Sequence, residues 1–232
     1  MNPQSFDQMQ YTGAQFPMNG QIPAMPQSNR APVNRPRPML VVHPTSLKSR
    51  VETQIPIKLT LYPLPLGVKK LRLPSHTISK PKFLAKPDVE RSPEILELSA
   101  SVVCTSAMQE KAWMRKAFLR ARGELVNGEG DEEETPLTGA EVKICSGCIQ
   151  RERKRASRKK QRKPEEDELF QRDEDKRIVV FNTTEIKDWV ETPKSALLEP
   201  GVPAVPVGAM QVELPMRIAC YCRHQNEKIG FQ

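Results

Sequence analysis

Two cysteines separated by two residues, Cys145 and Cys148, are followed at once by a dense run of basic residues. Residues 151–163 carry nine Lys and Arg side chains in thirteen positions. Because such a density of like charge repels itself, this basic run needs water or a polyanion around it. The whole chain has a net charge of +8, which favours nucleic acid as the polyanion, although a membrane surface would also attract it.

The basic run is predicted to contact DNA. Arginine forks bind phosphate oxygens or guanine edges, and each neutralised phosphate releases counterions. Residues four apart, such as Arg151 and Arg155, would line positive charge along one face of a helix. The alternatives are a nuclear-import signal, which is compatible with DNA contact, and a solvated flexible loop. The predicted contacts in the run are Arg151, Arg153, Lys154, Arg155, Arg158, Lys159, Lys160, Arg162 and Lys163.

Ser157 lies inside the basic run and follows Lys154, Arg155 and Ala156, a context that basophilic kinases favour. A phosphate on this serine would add roughly two negative charges among the positive ones and should weaken DNA contact. Ser157 is therefore a candidate modification site, although short matches of this kind are common by chance.

The cysteines suggest a metal site. Cys145 and Cys148 have the spacing of half a zinc site, and the group Cys220, Cys222 and His224 would supply the other half. In an extended strand Cys220 and Cys222 would lie about 6.5–7 Å apart, which is awkward for one ion. The alternative is that they are ordinary small buried residues and that the chain has no cofactor. The predicted zinc ligands are Cys145, Cys148, Cys220 and Cys222, whereas Cys104 is predicted to lie in the core.

The sequence does not indicate an enzyme. The three histidines, His43, His76 and His224, are scattered, and no Ser or Cys nucleophile has an identifiable base nearby. No phosphate-binding glycine loop is present, because the glycines cluster in linkers. We therefore expect no catalytic residues.

Cysteine usage and hydropathy predict the compartment. Five cysteines, an odd number unevenly spread, do not fit a disulfide framework and favour a reducing cytosol or nucleus. No apolar run approaches the roughly 20 residues that a membrane-spanning helix needs. The N-terminus lacks the basic start and the apolar stretch of a secretory signal.

Residues 1–38 are predicted to form a disordered arm, because repeated proline removes backbone donors and few apolar groups offset the ordering entropy. Residues 39–232 are predicted to form one domain. Its clearest strand signal is the alternation of apolar and polar side chains in residues 51–62. Pro56 lies on the polar face of that segment and suggests an edge strand or a bulge.

The remaining segments predict mostly strands. Further strands are predicted at residues 39–43, 94–104, 177–181 and 216–222. Residues 107–122 instead contain strong helix formers with apolar side chains four apart, which predicts one short amphipathic helix. With the acidic loop after it, this helix forms a predicted insertion at residues 107–136, and a basic loop is predicted at residues 149–176. Strands separated by long loops favour a mainly β fold, an antiparallel β-sandwich.

Three blocks of sequence together resemble one known family. The first is the alternating strand from Ser49, the second joins Cys145 and Cys148 to the basic run, and the third runs from Leu214 through Cys-Tyr-Cys-Arg-His. Residues 177–182 fit between the second and third blocks. In order and content, residues 47–231 resemble the N-terminal region of fungal membrane-tethered transcription activators that control the fatty-acid desaturase gene.

This resemblance implies a Rel-like, immunoglobulin-type β-sandwich that grips DNA through loops at one end. Carried to this chain, the gripping segments would be the basic run and the pair Arg223 and His224. Members of the family continue with an IPT/TIG domain, ankyrin repeats and a membrane anchor, and ubiquitin–proteasome processing releases them to the nucleus. This chain carries none of these parts and stops at Gln232, so we expect a fragment, a truncated gene model or a short paralogue.

The sequence therefore predicts the DNA-binding region of a nuclear transcription activator of unsaturated fatty acid metabolism. The expected partners are DNA and the transcription machinery, with a homodimer as a further candidate and no membrane span in this chain. The alternative is a co-activator or protein-interaction module without DNA affinity, in which the basic run serves nuclear import. Salt dependence separates the two, because phosphate contact makes affinity fall steeply with salt.

Overall fold

The computed structural model describes residues 37–45, 53–86, 90–125, 134–156, 164–193 and 204–232. Within these ranges the chain forms eight strands and three α-helices, which confirms the predicted mainly β class. The strands are β1 Met39–Val42, β2 Ile55–Tyr62, β3 Lys70–Arg72, β4 Ile95–Glu97, β5 Val179–Phe181, β6 Ile186–Asp188, β7 Val190–Glu191 and β8 Met210–Ile218. The helices are α1 Lys111–Ala121, α2 Ser146–Ala156 and α3 Pro164–Arg172. All but the last two residues of the predicted N-terminal arm lie outside the described residues.

The strands form two sheets. The larger sheet is antiparallel and has β2 and β8 at its centre, with β1 beside β2 and with β5 and β7 beside β8. The smaller sheet has the order β4-β3-β6, in which β3 and β4 are parallel, unlike the antiparallel pairing that was predicted throughout. The Rel-like topology stays a prediction.

Strand β2 forms where the alternating pattern predicted it. Ile57, Leu59 and Leu61 lie on its core side, whereas Pro56 is exposed. Among the described residues, β1 pairs with β2 only over Leu59–Tyr62, so β2 has a single partner strand at Pro56. This placement agrees with the edge position predicted for a proline that cannot donate a hydrogen bond.

One apolar core takes side chains from both sheets. In β8, Val212 and Leu214 are buried and the intervening Glu213 is exposed, as the two-residue period of a strand requires. These side chains join Leu71 of β3 and Phe181 of β5 in a single cluster. The central strand β8 therefore contributes buried side chains to the core that joins the two sheets.

Two predicted strands differ in extent from the observed ones. Of residues 94–104 only β4 is paired as a strand; farther along, Val103 exchanges backbone hydrogen bonds of 2.8 Å with Gln232. Cys104 is fully buried in the core, as predicted. Strand β8 starts at Met210 rather than Met216 and ends at Ile218 rather than Cys222, and one further backbone hydrogen bond of 2.8 Å joins the N–H of Ala219 to the carbonyl oxygen of Ile178.

Helix α1 lies within the segment predicted to be helical. The prediction of a loop at residues 149–176 is wrong, because most of α2 and all of α3 lie there. Gly139 passes against the backbone of α1 with a φ of 96°, and a Cβ there would lie 2.6 Å from the carbonyl oxygen of Trp113. Glycine is therefore required at this approach. Arg120 of α1 donates a hydrogen bond to the carbonyl oxygen of Gly139 at 2.8 Å and pairs with Glu134.

A buried carboxylate holds the C-terminal segment. Glu227 accepts hydrogen bonds from the backbone N–H groups of Ser106 at 3.0 Å and Ile229 at 2.7 Å. Burial alone would raise the pKa of this carboxyl, but the backbone donors outweigh burial and lower the pKa below its usual range. The charged form is therefore the one that fits the folded chain.

We expect Leu214→Ala to lower the free energy of unfolding by about 2–5 kcal/mol, because it leaves a cavity beside the central strand. Leu66→Ala is the matched control: Leu66 is 90% exposed, so its loss should change stability by no more than about 0.5 kcal/mol. Urea unfolding of the two variants measures both effects. Equal losses would contradict the placement of the core.

We expect Glu227→Gln to lower stability by about 1–3 kcal/mol at neutral pH, because a charged acceptor is lost from buried donors. Since the folded-state pKa of Glu227 is depressed, its stabilising effect is present above the pKa of the unfolded carboxyl. The difference between wild type and variant should therefore shrink as the pH falls through the pKa values of this carboxyl. Unfolding curves at several pH values test this, with the exposed Glu213→Gln as the pH-matched control.

Candidate nucleic-acid interface and cysteine–histidine cluster

Helix α2 contains the second cysteine of the pair and the first part of the basic run. Cys148 and Glu152 are four residues apart, so they share one face, and both are buried. The cations of the helix occupy its other faces: Arg151, Arg153 and Arg155 are half-buried and Lys154 is exposed. The buried face of this basic helix therefore presents a thiol and a carboxylate.

A buried ion pair fixes α2 against β8. The Glu152 carboxylate accepts a hydrogen bond from Nη1 of Arg217 at 2.7 Å and a second bond from its Nη2. Arg155 adds a bond of 3.2 Å to the same carboxylate from within the helix. Arg217 follows the alternation of β8 onto the face opposite Leu214, so the ion pair attaches α2 to that face of the strand.

A third helix, α3, contacts one arginine of α2 and a second arginine that precedes β5. Phe170 of α3 lies 6.0 Å from the guanidinium of Arg153 and 4.3 Å from that of Arg177. Arg153 also donates a hydrogen bond of 3.0 Å to Glu174, and Arg177 donates one of 2.7 Å to the carbonyl oxygen of Ile78. Burial lowers the pKa of Arg177 to about 10. Arg153 thus has an aromatic ring and a carboxylate as partners, and Arg177 has the same ring and a backbone carbonyl oxygen.

The structure describes four of the nine basic residues predicted to contact DNA. Arg153 and Arg155 bind carboxylates, Arg151 lies beside an aromatic ring, and Lys154 has no ion pair within the described part of the chain. The other predicted contacts, and the candidate phosphorylation site Ser157, lie outside the described residues: Arg158, Lys159, Lys160, Arg162 and Lys163. Contact with DNA stays a prediction for all nine.

Arg151 joins α2 to the C-terminal turn. Its guanidinium lies 4.8 Å from the ring centroid of Tyr221, and its Nη2 donates a hydrogen bond of 2.8 Å to the sulfur of Cys148. Arg223 and His224, the other predicted DNA contacts, lie exposed in the 3-10 turn that follows Tyr221. The fold thus brings together two basic segments that are far apart in the sequence.

Three thiols and one imidazole converge where the two segments meet. The ligand atoms of Cys145, Cys148, Cys220 and His224 all lie within 4.8 Å of one another. The Nδ1 atom of His224 is 3.1 Å from the Cys145 sulfur, 3.4 Å from the Cys148 sulfur and 3.9 Å from the Cys220 sulfur. Cys222, predicted as the fourth ligand, lies outside this cluster, and His224 occupies its place.

The end of β8 explains why His224 rather than Cys222 belongs to the cluster. The predicted separation of Cys220 and Cys222 assumed that both lie on one face of an extended strand. The strand stops at Ile218, so this assumption is wrong. The chain instead enters a 3-10 turn, in which the N–H of His224 bonds to the carbonyl oxygen of Tyr221 at 2.9 Å. The left-handed Asn226, with a φ of 58°, ends the turn. The turn thereby brings the Nδ1 atom of His224 to 3.9 Å from the sulfur of Cys220.

The surrounding groups change the acidity of two thiols. Burial raises the pKa of Cys220 to about 12. Burial also acts to raise the pKa of Cys145, but hydrogen bonds from the backbone of Cys148 and from neighbouring side chains lower it to about 7. Cys145 precedes the first residue of α2, where a helix N-terminus favours a thiolate.

We expect Glu152→Gln to cost about 3–5 kcal/mol of stability, because it leaves the buried Arg217 without its charged partner. The double variant Glu152→Gln/Arg217→Met should recover part of this loss, since no unpaired charge remains. Denaturant unfolding of the single and double variants measures the coupling energy. The control Glu94→Gln removes an exposed partner of Lys69 and should change stability by no more than about 1 kcal/mol.

Within the described residues no helix has both the length and the apolarity to cross a bilayer.

A family model described as the SPT23/MGA2 DNA-binding domain matches residues 38–232. The match includes every residue of α2, the C-terminal turn and the cysteine–histidine cluster.

Two proteins of Saccharomyces cerevisiae are similar over most of the chain. Protein MGA2 is 24% identical over 231 residues, which cover 97% of this chain and 15% of the relative. Protein SPT23 is 27% identical over 216 residues, which cover 87% of this chain and 17% of the relative. The chain thus spans about a sixth of the length of these relatives. No solved structure matches it.

Proposed function

The chain belongs to the SPT23/MGA2 DNA-binding domain family, and from this premise we propose that it binds double-stranded DNA through α2 and the C-terminal turn. The observation that supports this most directly is the junction of two basic segments at Arg151 and Tyr221. Such binding needs no catalytic step, and it requires only cations at fixed positions relative to a rigid support.

The proposed contact area, here called the basic surface, consists of Arg151, Lys154, Tyr221 and Arg223. Lys154 follows Arg151 by three residues and therefore lies beside it on the helix. Arg223 lies two residues after Tyr221, whose ring the Arg151 guanidinium covers. The rest of the basic run continues from the C-terminal end of α2 and would extend the same positive charge.

Different cations in this area have different roles in the proposal. Lys154 and Arg223 are exposed and would contact phosphates or base edges directly. Arg153 and Arg155 hold Glu174 and Glu152, so part of their charge is already neutralised within the protein. We assign these two arginines mainly to positioning α2, and direct contact to the exposed side chains around them.

The wider assignment is a nuclear transcription activator of unsaturated fatty acid metabolism. It is supported by the family match and by the order of the three sequence blocks that carry the resemblance. The transcription machinery and a second copy of the chain are further proposed partners. Residues 38–232 match the model of a DNA-binding domain, so DNA contact is the part of this role that we assign to them.

We expect Lys154→Ala and Arg223→Ala each to weaken binding of the full chain to a pool of DNA duplexes. Each lost phosphate contact should reduce the slope of log affinity against log salt by about 0.9. Fluorescence anisotropy at several salt concentrations measures the affinity and the slope, and thermal unfolding should be unchanged because both side chains are exposed.

Lys70→Ala supplies the matched control, since it removes an equally exposed cation from β3 in the smaller sheet. Its affinity and salt slope should equal those of the wild type. A loss of binding as large as that of Lys154→Ala would show only a general effect of net charge. Folded wild-type chain that binds no duplex at low salt would reject the proposal and favour the co-activator alternative, in which the basic run serves import.

A further inference from the structure

The cysteine–histidine cluster places more thiols around one imidazole nitrogen than that nitrogen can hydrogen-bond. Three sulfurs converge on one atom, Nδ1 of His224, at 3.1, 3.4 and 3.9 Å. A neutral imidazole nitrogen either donates one proton or accepts at one lone pair, so it satisfies one of these contacts. The described cysteines are free thiols, so no disulfide accounts for the convergence. A common partner at the centre of the four atoms would account for it.

The distances fit a small tetrahedral ion. Zinc–sulfur bonds of about 2.3 Å and zinc–nitrogen bonds of about 2.0–2.1 Å give a tetrahedron with edges of about 3.6–3.8 Å. The three sulfur–nitrogen distances straddle this value, and the remaining ligand-atom separations stay within 4.8 Å. Movements of less than about 1 Å along side-chain torsions would therefore close the coordination shell.

We propose that Cys145, Cys148, Cys220 and His224 bind one Zn²⁺ ion in a closed structural site. Three thiolates and an imidazole are a ligand set that prefers zinc, and four protein ligands leave no open position for a substrate. The spacing supports this assignment, since two residues separate the first pair of ligands and three residues separate the second.

The groups around the cluster suit bound thiolates. Three thiolates and one Zn²⁺ ion carry a net charge of −1, and the guanidinium of Arg151 contacts the Cys148 sulfur at 2.8 Å. Gln225 donates to the Cys220 sulfur at 3.6 Å and to the carbonyl oxygen of Lys143 at 2.7 Å. Cation and amide donors of this kind balance the charge of a metal site and orient its ligands.

The proposed ion would act as a clamp between the two segments of the basic surface. Cys145 immediately precedes α2 and Cys148 lies in its first turn, whereas Cys220 and His224 flank Tyr221 in the segment after β8. Binding one ion would fix both segments to each other at a point where Arg151 already stacks on Tyr221. The zinc site itself does not depend on the proposed DNA binding; only its effect on that binding does.

Metal analysis of the full chain, purified without chelator, tests the inference. Inductively coupled plasma mass spectrometry should find one zinc ion per chain, and X-ray absorption should find three sulfur ligands and one nitrogen ligand. After replacement by cobalt, thiolate-to-cobalt charge transfer and strong visible d–d bands should report a tetrahedral site. These three measurements use the wild type, so they do not depend on a variant that folds.

Variants then identify the ligands. Cys145→Ser and Cys220→Ser should lose most of the bound zinc, whereas Cys222→Ser, a matched change two residues away, should retain it. His224→Ala should keep the thiolate charge-transfer band but alter the visible bands. Folded wild type that contains no zinc and takes up no cobalt would overturn the inference, as would iron in its place or equal zinc loss in Cys222→Ser.

A separate measurement links the ion to the basic surface. Removing zinc with a chelator should lower the melting temperature and weaken duplex binding, and added zinc should restore both. If the chain binds zinc but no DNA, the metal site stands and the proposed function fails. If it binds DNA equally well with and without its zinc, the clamp function is rejected.

Discussion

The arrangement of the basic surface depends on one buried carboxylate. Glu152 is the single acidic residue among residues 151–163, and it meets Arg217 on the face of β8 opposite Leu214. Without this carboxylate, a strongly cationic helix would have to pack beside the buried guanidinium groups of Arg217 and Arg177, and like charges in a medium of low dielectric repel strongly. The ion pair therefore determines which face of α2 is turned inward. Once that face is set, Cys148 is directed to the cluster and Lys154 is directed to solvent.

Two attachments along α2 restrict it in different ways. The ion pair at Glu152 fixes the rotation of the helix, because a bidentate contact between carboxylate and guanidinium has a narrow geometry. The cluster at Cys145 and Cys148 fixes its N-terminal end against the chain that follows β8. Because the ion pair and the cluster hold the first turns of α2 at two points, the Arg151 guanidinium is positioned over the Tyr221 ring. A rigid mounting of this kind suits phosphate contacts, whose strength depends on the distances between fixed charges.

Much of the fold was predictable because it follows from local periodicity. The alternation in β2 and the helix formers of α1 each specify their element without reference to the rest of the chain. The site was predictable only in part, because its key residues take their roles from distant partners. Glu152 appears in the sequence as one more charge in a solvated run, and only Arg217 gives it a reason to be buried. Likewise, His224 reaches the thiols because the chain leaves β8 after Ile218 and enters a 3-10 turn, a change that the residues around Cys220 do not reveal.

The polar character of these attachments follows from the composition of the segments they join. Aromatic residues make up 5% of the chain, and the inward face of α2 offers the core little more than Cys148 and the half-buried Ile149. Apolar burial of this size contributes only a few kcal/mol and does not select one orientation. A buried ion pair adds little net stability when the cost of desolvation is counted, but it discriminates strongly against misplaced partners. A four-ligand metal site would add stability and would fix the relative orientation of α2 and the C-terminal turn where they meet. The apolar core therefore stabilises the two sheets, whereas polar contacts set the geometry of the basic surface on them.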